Sequence, residues 1–103
     1  MDLLEKIKQK KATVCIVGVG YVGLPNAVSF VEKGFNVIAA DASERVVRLT
    51  NEGKSHINDP VLNKGVPIAF STGRLSATQT VVEAVKKSDV IIISVPTPTK
   101  GNL

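Results

Sequence analysis

The chain has 103 residues, of which 44% are hydrophobic and 21% charged, with a formal net charge of +4. Its length allows one domain, or part of one, and its apolar content suffices for a core, so an intrinsically disordered chain is excluded. The charge is mild, aromatics are only 4% and do not interleave with basic residues, which argues against a nucleic-acid partner, and no apolar run reaches the roughly 18 residues of a membrane span.

Residues 1–11 read as a basic helix or tail. Leu3, Leu4 and Ile7 fall on one side of a short helix, with Lys6, Lys8, Lys10 and Lys11 around them. This segment is expected to pack weakly near the first strand or to fray, rather than to lie on a membrane. The N-terminus lacks the apolar stretch of a signal peptide. One cysteine cannot form an internal disulfide, so a cytoplasmic location is expected.

Residues 12–103 read as a nucleotide-binding domain. The first strand covers residues 12–17 and is rich in β-branched side chains, as a strand buried on both faces of a parallel sheet should be. Cys15 lies mid-strand and is read as core, because a reactive thiol needs exposure and an electropositive setting. The strand runs into Gly18-Val19-Gly20-Tyr21-Val22-Gly23. In a Gly-x-Gly-x-x-Gly turn, Gly18 supplies the sharp bend and Gly20 lets a pyrophosphate approach the backbone. Gly23 lets the next helix pack tightly on the strand it has left. The helix that starts near Tyr21 points unpaired N–H groups and a partial positive charge at the anion.

Taken alone, that glycine pattern also fits an ordinary turn. Its surroundings favour the nucleotide. A helix over residues 22–33 carries Val22, Ala27, Val28, Phe30 and Val31, with Pro25 in its first turn and Gly34 as its stop. A second apolar strand, residues 35–40, ends in Asp41. From Thr13 to Asp41 is 29 residues, matching the roughly 30-residue βαβ unit of a dinucleotide site. Asp41 is placed to accept hydrogen bonds from the adenosine ribose, or to cap the helix over residues 43–51; Ser43 is an equally good cap. Arg45 could lie over the adenine face or be solvated.

The rest of the chain continues the alternation. Residues 53–70 read as the least regular segment, with Gly53, Pro60, Gly65 and Pro67 as turn signals and a short helical turn starting at Asp59. His56, the only histidine, has no ligand cluster around it and is not a metal site. A short strand over residues 74–77 precedes a helix over residues 80–87, with Val81, Val82 and Val85 inward. The last strand, residues 90–95, runs into Pro96-Thr97-Pro98-Thr99. In such a sheet the loops at the carboxyl ends of the strands hold the ligand. Val95, Pro96 and Thr97 are therefore read as the nicotinamide side of the site, against the plainer reading of an exit linker.

The fold class expected is α/β: a Rossmann-type doubly wound parallel sheet, truncated to about four strands in the order 3-2-1-4. Its fourth strand would be an apolar edge prone to self-association.

Three tracts, residues 16–25, 39–41 and 94–98, together resemble the N-terminal NAD-binding domain of the nucleotide-sugar 6-dehydrogenases, the UDP-glucose and UDP-GlcNAc/UDP-ManNAc dehydrogenase group. The specific part is Gly20-Tyr21-Val22-Gly23-Leu24-Pro25 with Val95-Pro96-Thr97-Pro98. Residues 56–62 are similar to the family's Ile-x-Glu-Pro-x-Leu loop, with Asp59 where Glu is often found. Residues 95–101 look more like the UDP-N-acetylmannosamine branch.

The resemblance implies NAD as cofactor, backbone contacts from Tyr21 and Val22 to the pyrophosphate, Asp41 on the ribose and Thr97 near the nicotinamide. NAD is expected over NADP because Asp41 repels a 2′-phosphate, an argument that Arg45 weakens. The family oxidises a sugar C6 alcohol to a carboxylate in two NAD-dependent hydride steps, through a cysteine-bound intermediate. The cysteine, lysine and asparagine it uses come from later in the chain, and Cys15 does not match the nucleophile. A full-length protein of this kind would be a homodimer acting on a UDP-sugar, and this chain alone would be inactive. Two other readings compete: another Rossmann oxidoreductase of the hydroxyacyl-CoA or 6-phosphogluconate type, and a nucleotide-sensing regulatory module without chemistry of its own.

Overall fold

Four short apolar runs form one parallel sheet. They are β1 (Thr13–Val17), β2 (Asn36–Ala40), β3 (Leu75–Thr78) and β4 (Val90–Ile93), in the order β3-β2-β1-β4. The computed structural model describes residues 1–94; the readings made on Val95, Pro96 and Thr97 fall outside them. Five helices complete the described residues: α1 (Leu3–Lys8), α2 (Gly23–Glu32), α3 (Glu44–Asn51), α4 (Pro60–Ser71) and α5 (Val81–Lys87). The expected Rossmann-type order is the one observed.

Register decides which side chains meet. Val14 lies beside Val37 and Val90, Cys15 beside Ile38 and Ile91, and Val17 beside Ala40 and Ile93. Successive side chains in a strand point to opposite faces. One face therefore carries Val14, Ile16, Val37, Ala39, Leu75 and Ala77, all buried in one cluster with Leu24, Val28, Val31, Leu62 and Val66 from α2 and α4. The other face carries Cys15 and Ala40, which pack with Ala84 of α5.

Caps fix where the helices begin. Asp2 Oδ1 accepts from the Glu5 N–H, Ser43 Oγ from the Val46 N–H, and Asp59 Oδ2 from the Leu62 N–H. Each satisfies an amide that has no partner within its helix. Gly34 takes φ +97° just past α2, the left-handed backbone that ends helices.

The largest correction concerns residues 53–70. Most of that segment is α4, a helix of 12 residues with Pro67 inside it. Asp59 caps it and Pro60 opens it, where a proline costs no intrahelical bond. Leu62, Val66 and Ala69 follow at helical spacing and are all buried. Gly65, read as a turn, instead allows close approach to α2: a Cβ there would lie 3.2 Å from Val28 Cγ1. Burial of that stripe outweighs the one N–H that Pro67 removes.

Two smaller corrections follow. Val82 points to solvent at 64% exposure, and Ala84 takes the inward position on α5. At the N-terminus of α2, Val22 is 57% exposed while Leu24 is fully buried. The apolar side of α1 packs on nothing substantial, since Leu3, Leu4 and Ile7 are all exposed. Polar contacts tether the segment instead. Lys6 Nζ donates to Asp89 Oδ1 at 2.9 Å, Asp89 Oδ2 accepts from the Thr13 N–H, and Lys10 Nζ sits 4.7 Å from the centre of the Phe35 ring.

Candidate functional site

The turn between β1 and α2 is shaped by three glycines with distinct jobs. Gly18 has φ +90°, its N–H donates to the Ala40 carbonyl at 2.8 Å, and a Cβ there would collide with the Ser94 carbonyl. A Cβ on Gly23 would run into the Gly18 carbonyl and touch the Ile16 side chain. At Gly20 the situation is reversed, because a Cβ would meet nothing within 4 Å among the described residues. Two glycines close the loop on itself and the third leaves open space above it.

That space lies at the N-terminus of a ten-residue helix that has no side-chain cap among the described residues. The Leu24 N–H donates to the Gly20 carbonyl at 3.0 Å. The amides of Gly20, Tyr21 and Val22 donate to no protein acceptor among the described residues. Unpaired N–H groups beside a positive helix end form an anion site. Tyr21 is 83% exposed. The donor set and the open glycine fit a dinucleotide pyrophosphate.

Asp41 stands at the end of β2, next to this loop. Its Oδ2 accepts from the Val19 N–H and its Oδ1 from the Ser43 N–H, each at 2.9 Å. Ser43, not Asp41, is the cap of α3. A carboxylate has about four acceptor sites, so two protein bonds leave capacity for ribose hydroxyls. Arg45 is exposed on the first turn of α3.

Sequence reasoning passed over His56, which reaches this loop. Its Nε2 lies 2.6 Å from the Val19 carbonyl oxygen. A signal for it existed. Ile57 beside it is an apolar anchor, 6% exposed, and Asp59-Pro60 marks a helix start; together they fix the histidine near the top of α2. Between the starts of α2 and α4 lies a cleft of about 320 Å³, lined by Tyr21, Pro25, Ile57, Asp59, Val61 and Leu62 among others. Cys15 is far from any such role: burial pushes its thiol above the usual range, an effect the nearby Ser88 hydroxyl only partly offsets, so it stays protonated.

Residues 12–103 match the profile of the UDP-glucose/GDP-mannose dehydrogenase family, NAD binding domain. The chain belongs to that family, as its NAD-binding domain. It is similar to the UDP-N-acetyl-D-mannosamine dehydrogenase of Salmonella typhimurium, with 41% identity over 90 residues, covering 87% of this chain and 20% of the relative. Among solved structures it resembles a UDP-glucose dehydrogenase from Pyrobaculum islandicum, with a TM-score of 0.80 and 37% identity over 84% of this chain and 20% of that one. It also resembles GDP-mannose dehydrogenase from Pseudomonas aeruginosa, with a TM-score of 0.79 and 40% identity over 86% of this chain and 21% of that one. The chain thus spans about a fifth of the length of the curated relatives it matches. Among the described residues no helix is long and apolar enough to cross a membrane.

Proposed function

We propose that residues 12–103 are the cofactor module of a nucleotide-sugar 6-dehydrogenase, with residues 1–11 as an appended helix. NAD lies with its pyrophosphate over the amides of Gly20, Tyr21 and Val22. Its adenosine ribose bonds to Asp41, Arg45 borders the adenine, and Val95, Pro96 and Thr97 flank the nicotinamide. The observation that carries this reading is the open space at Gly20 beside amides that, among the described residues, have no protein acceptor. Hydride transfer belongs to the cofactor, and the protein supplies binding and orientation. The whole enzyme would be a cytoplasmic homodimer that oxidises a UDP-sugar at C6, and UDP-N-acetylmannosamine is favoured because relatives sharing 41–42% identity carry that name. The chain alone would bind cofactor without turning over a sugar, since its only cysteine is buried mid-strand.

Calorimetric titration with NAD and NADP tests the reading. NAD should bind more tightly than NADP, and Asp41→Asn should narrow the gap, because it keeps an acceptor for the Val19 N–H while removing the charge that repels a 2′-phosphate. A folded chain that binds neither nucleotide would contradict it.

A further inference from the structure

We infer that His56 is a positioning residue that aims the Gly20 amide at the bound anion by holding the Val19 carbonyl; this rests on the nucleotide reading of the glycine loop. The Val19 carbonyl and the Gly20 N–H belong to one peptide unit. In a trans peptide these two groups point in opposite directions. The carbonyl is drawn toward His56 Nε2 at 2.6 Å. The Gly20 N–H must then face the other way, and it donates to no protein acceptor among the described residues.

Such an aid is needed because glycine is permissive. Gly18 and Gly20 flank Val19, and either can absorb a large backbone rotation. The preceding peptide unit is held independently, since the Val19 N–H donates to Asp41 Oδ2. The Val19 side chain is fully buried. Loss of the His56 contact leaves only the Val19–Gly20 peptide free to turn, and that peptide carries the donor the anion requires.

His56 is itself well seated. Ser55 Oγ donates to the Ile57 carbonyl at 2.7 Å and accepts from the Ile57 N–H at 3.0 Å. Ile57 is buried in the main core, and Asp59 caps α4. A carbonyl oxygen only accepts, so Nε2 must carry the hydrogen. His56 therefore links the start of α4 to the glycine loop, and no contact with the ligand is required of it.

The test uses the 103-residue chain, with wild type, His56→Gln and His56→Leu compared in NAD titrations. Leu cannot donate, and NAD affinity should fall roughly tenfold, at the upper end of what one hydrogen bond contributes. Gln can donate from its amide, and affinity should return to within about threefold of wild type. A purely packing role would be met as well by Leu as by Gln, so equal affinities in the two variants would overturn the proposal. Two readouts need no ligand. The ring ¹⁵N shifts of the wild type should place the hydrogen on Nε2, and the Gly20 amide resonance should move in His56→Leu and return in His56→Gln. A neutral ring with its hydrogen on Nδ1 would overturn the proposal even if the variants fail to fold. A wild type that binds no NAD would defeat the nucleotide reading, while the Gly20 resonance would still decide whether His56 sets that peptide.

Discussion

The two faces of the sheet are finished to different degrees. Against the face of Val14, Ile16, Val37 and Ala39, helices α2, α3 and α4 close a cluster of seventeen buried residues. On the face of Cys15, Val17, Ile38 and Ala40, α5 is the one covering helix among the described residues, and it closes a cluster of three. That second face continues onto β4, where Ile91 and Ile93 are 42% and 69% exposed. Two things set the faces apart: the second also carries Thr13, Asn36, Ser76 and Thr78, where the first is apolar throughout, and fewer helices cover it among the described residues. Stability is concentrated on the first face, which also seats the glycine loop through Ile16, Val19 and Leu24.

The largest expected effect follows from that asymmetry. Leu24→Ala, on the closed face and fully buried, should cost about 2–5 kcal/mol. Ile93→Ala should cost well under about 1 kcal/mol, because little of its surface leaves water on folding. Urea denaturation of both variants measures the gap, and equal losses would break the comparison. Ile93→Lys should instead lower self-association of the β4 edge, read by sedimentation against concentration.

The glycines sharpen the same contrast on a smaller scale. Gly23→Ala forces a methyl against the Gly18 carbonyl and should destabilise by roughly 1–3 kcal/mol, as overpacking does. Gly20→Ala meets open space, so the melting temperature should barely move. Its methyl would occupy the pyrophosphate's approach, and NAD affinity should fall roughly tenfold or more. A Gly20→Ala chain that binds NAD normally would count against the site.

Much of this was legible from residue order. The β-branched runs, Gly18, Gly34 and Asp41 specified four strands, their order and the βα turn, because each signal acts over a few residues. The start of α4 at Asp59-Pro60 was legible but its twelve-residue length was not, since Gly65 and Pro67 are strong local breakers and only the packing of Leu62, Val66 and Ala69 on α2 overrides them. Val82, read as inward, is exposed and Ala84 is buried for a similar reason: on a short helix with one thin contact face, a small residue fits closest to the sheet. His56 was missed because its partner is a backbone carbonyl 37 residues away: Ile57 and Asp59-Pro60 signal where the histidine is seated, but not the carbonyl it meets.

The smallest expected effect lies at the N-terminus. Hydrogen bonds from the Thr13 N–H first, and then from Lys6, hold the Asp89 carboxyl below the usual carboxylate range. A lowered folded-state value adds stability that is present above the unfolded value, about 3.9, and is lost as pH falls through the folded one. Thermal melts should therefore show the wild type losing this increment below about pH 4. Asp89→Asn should lack it at neutral pH and show a flatter acid limb. Identical acid limbs would remove Asp89 from the account.

The most direct test of the central claim is a ¹⁵N-resolved titration of the chain with NAD. The amides of Gly20, Tyr21 and Val22 should shift first and furthest, with Val19 and Ser43, the two bonded to Asp41, following. A folded chain whose loop amides stay unmoved while NAD is raised to saturating levels, or whose shifts cluster on the α5 face instead, would contradict the assignment of this loop as the cofactor site.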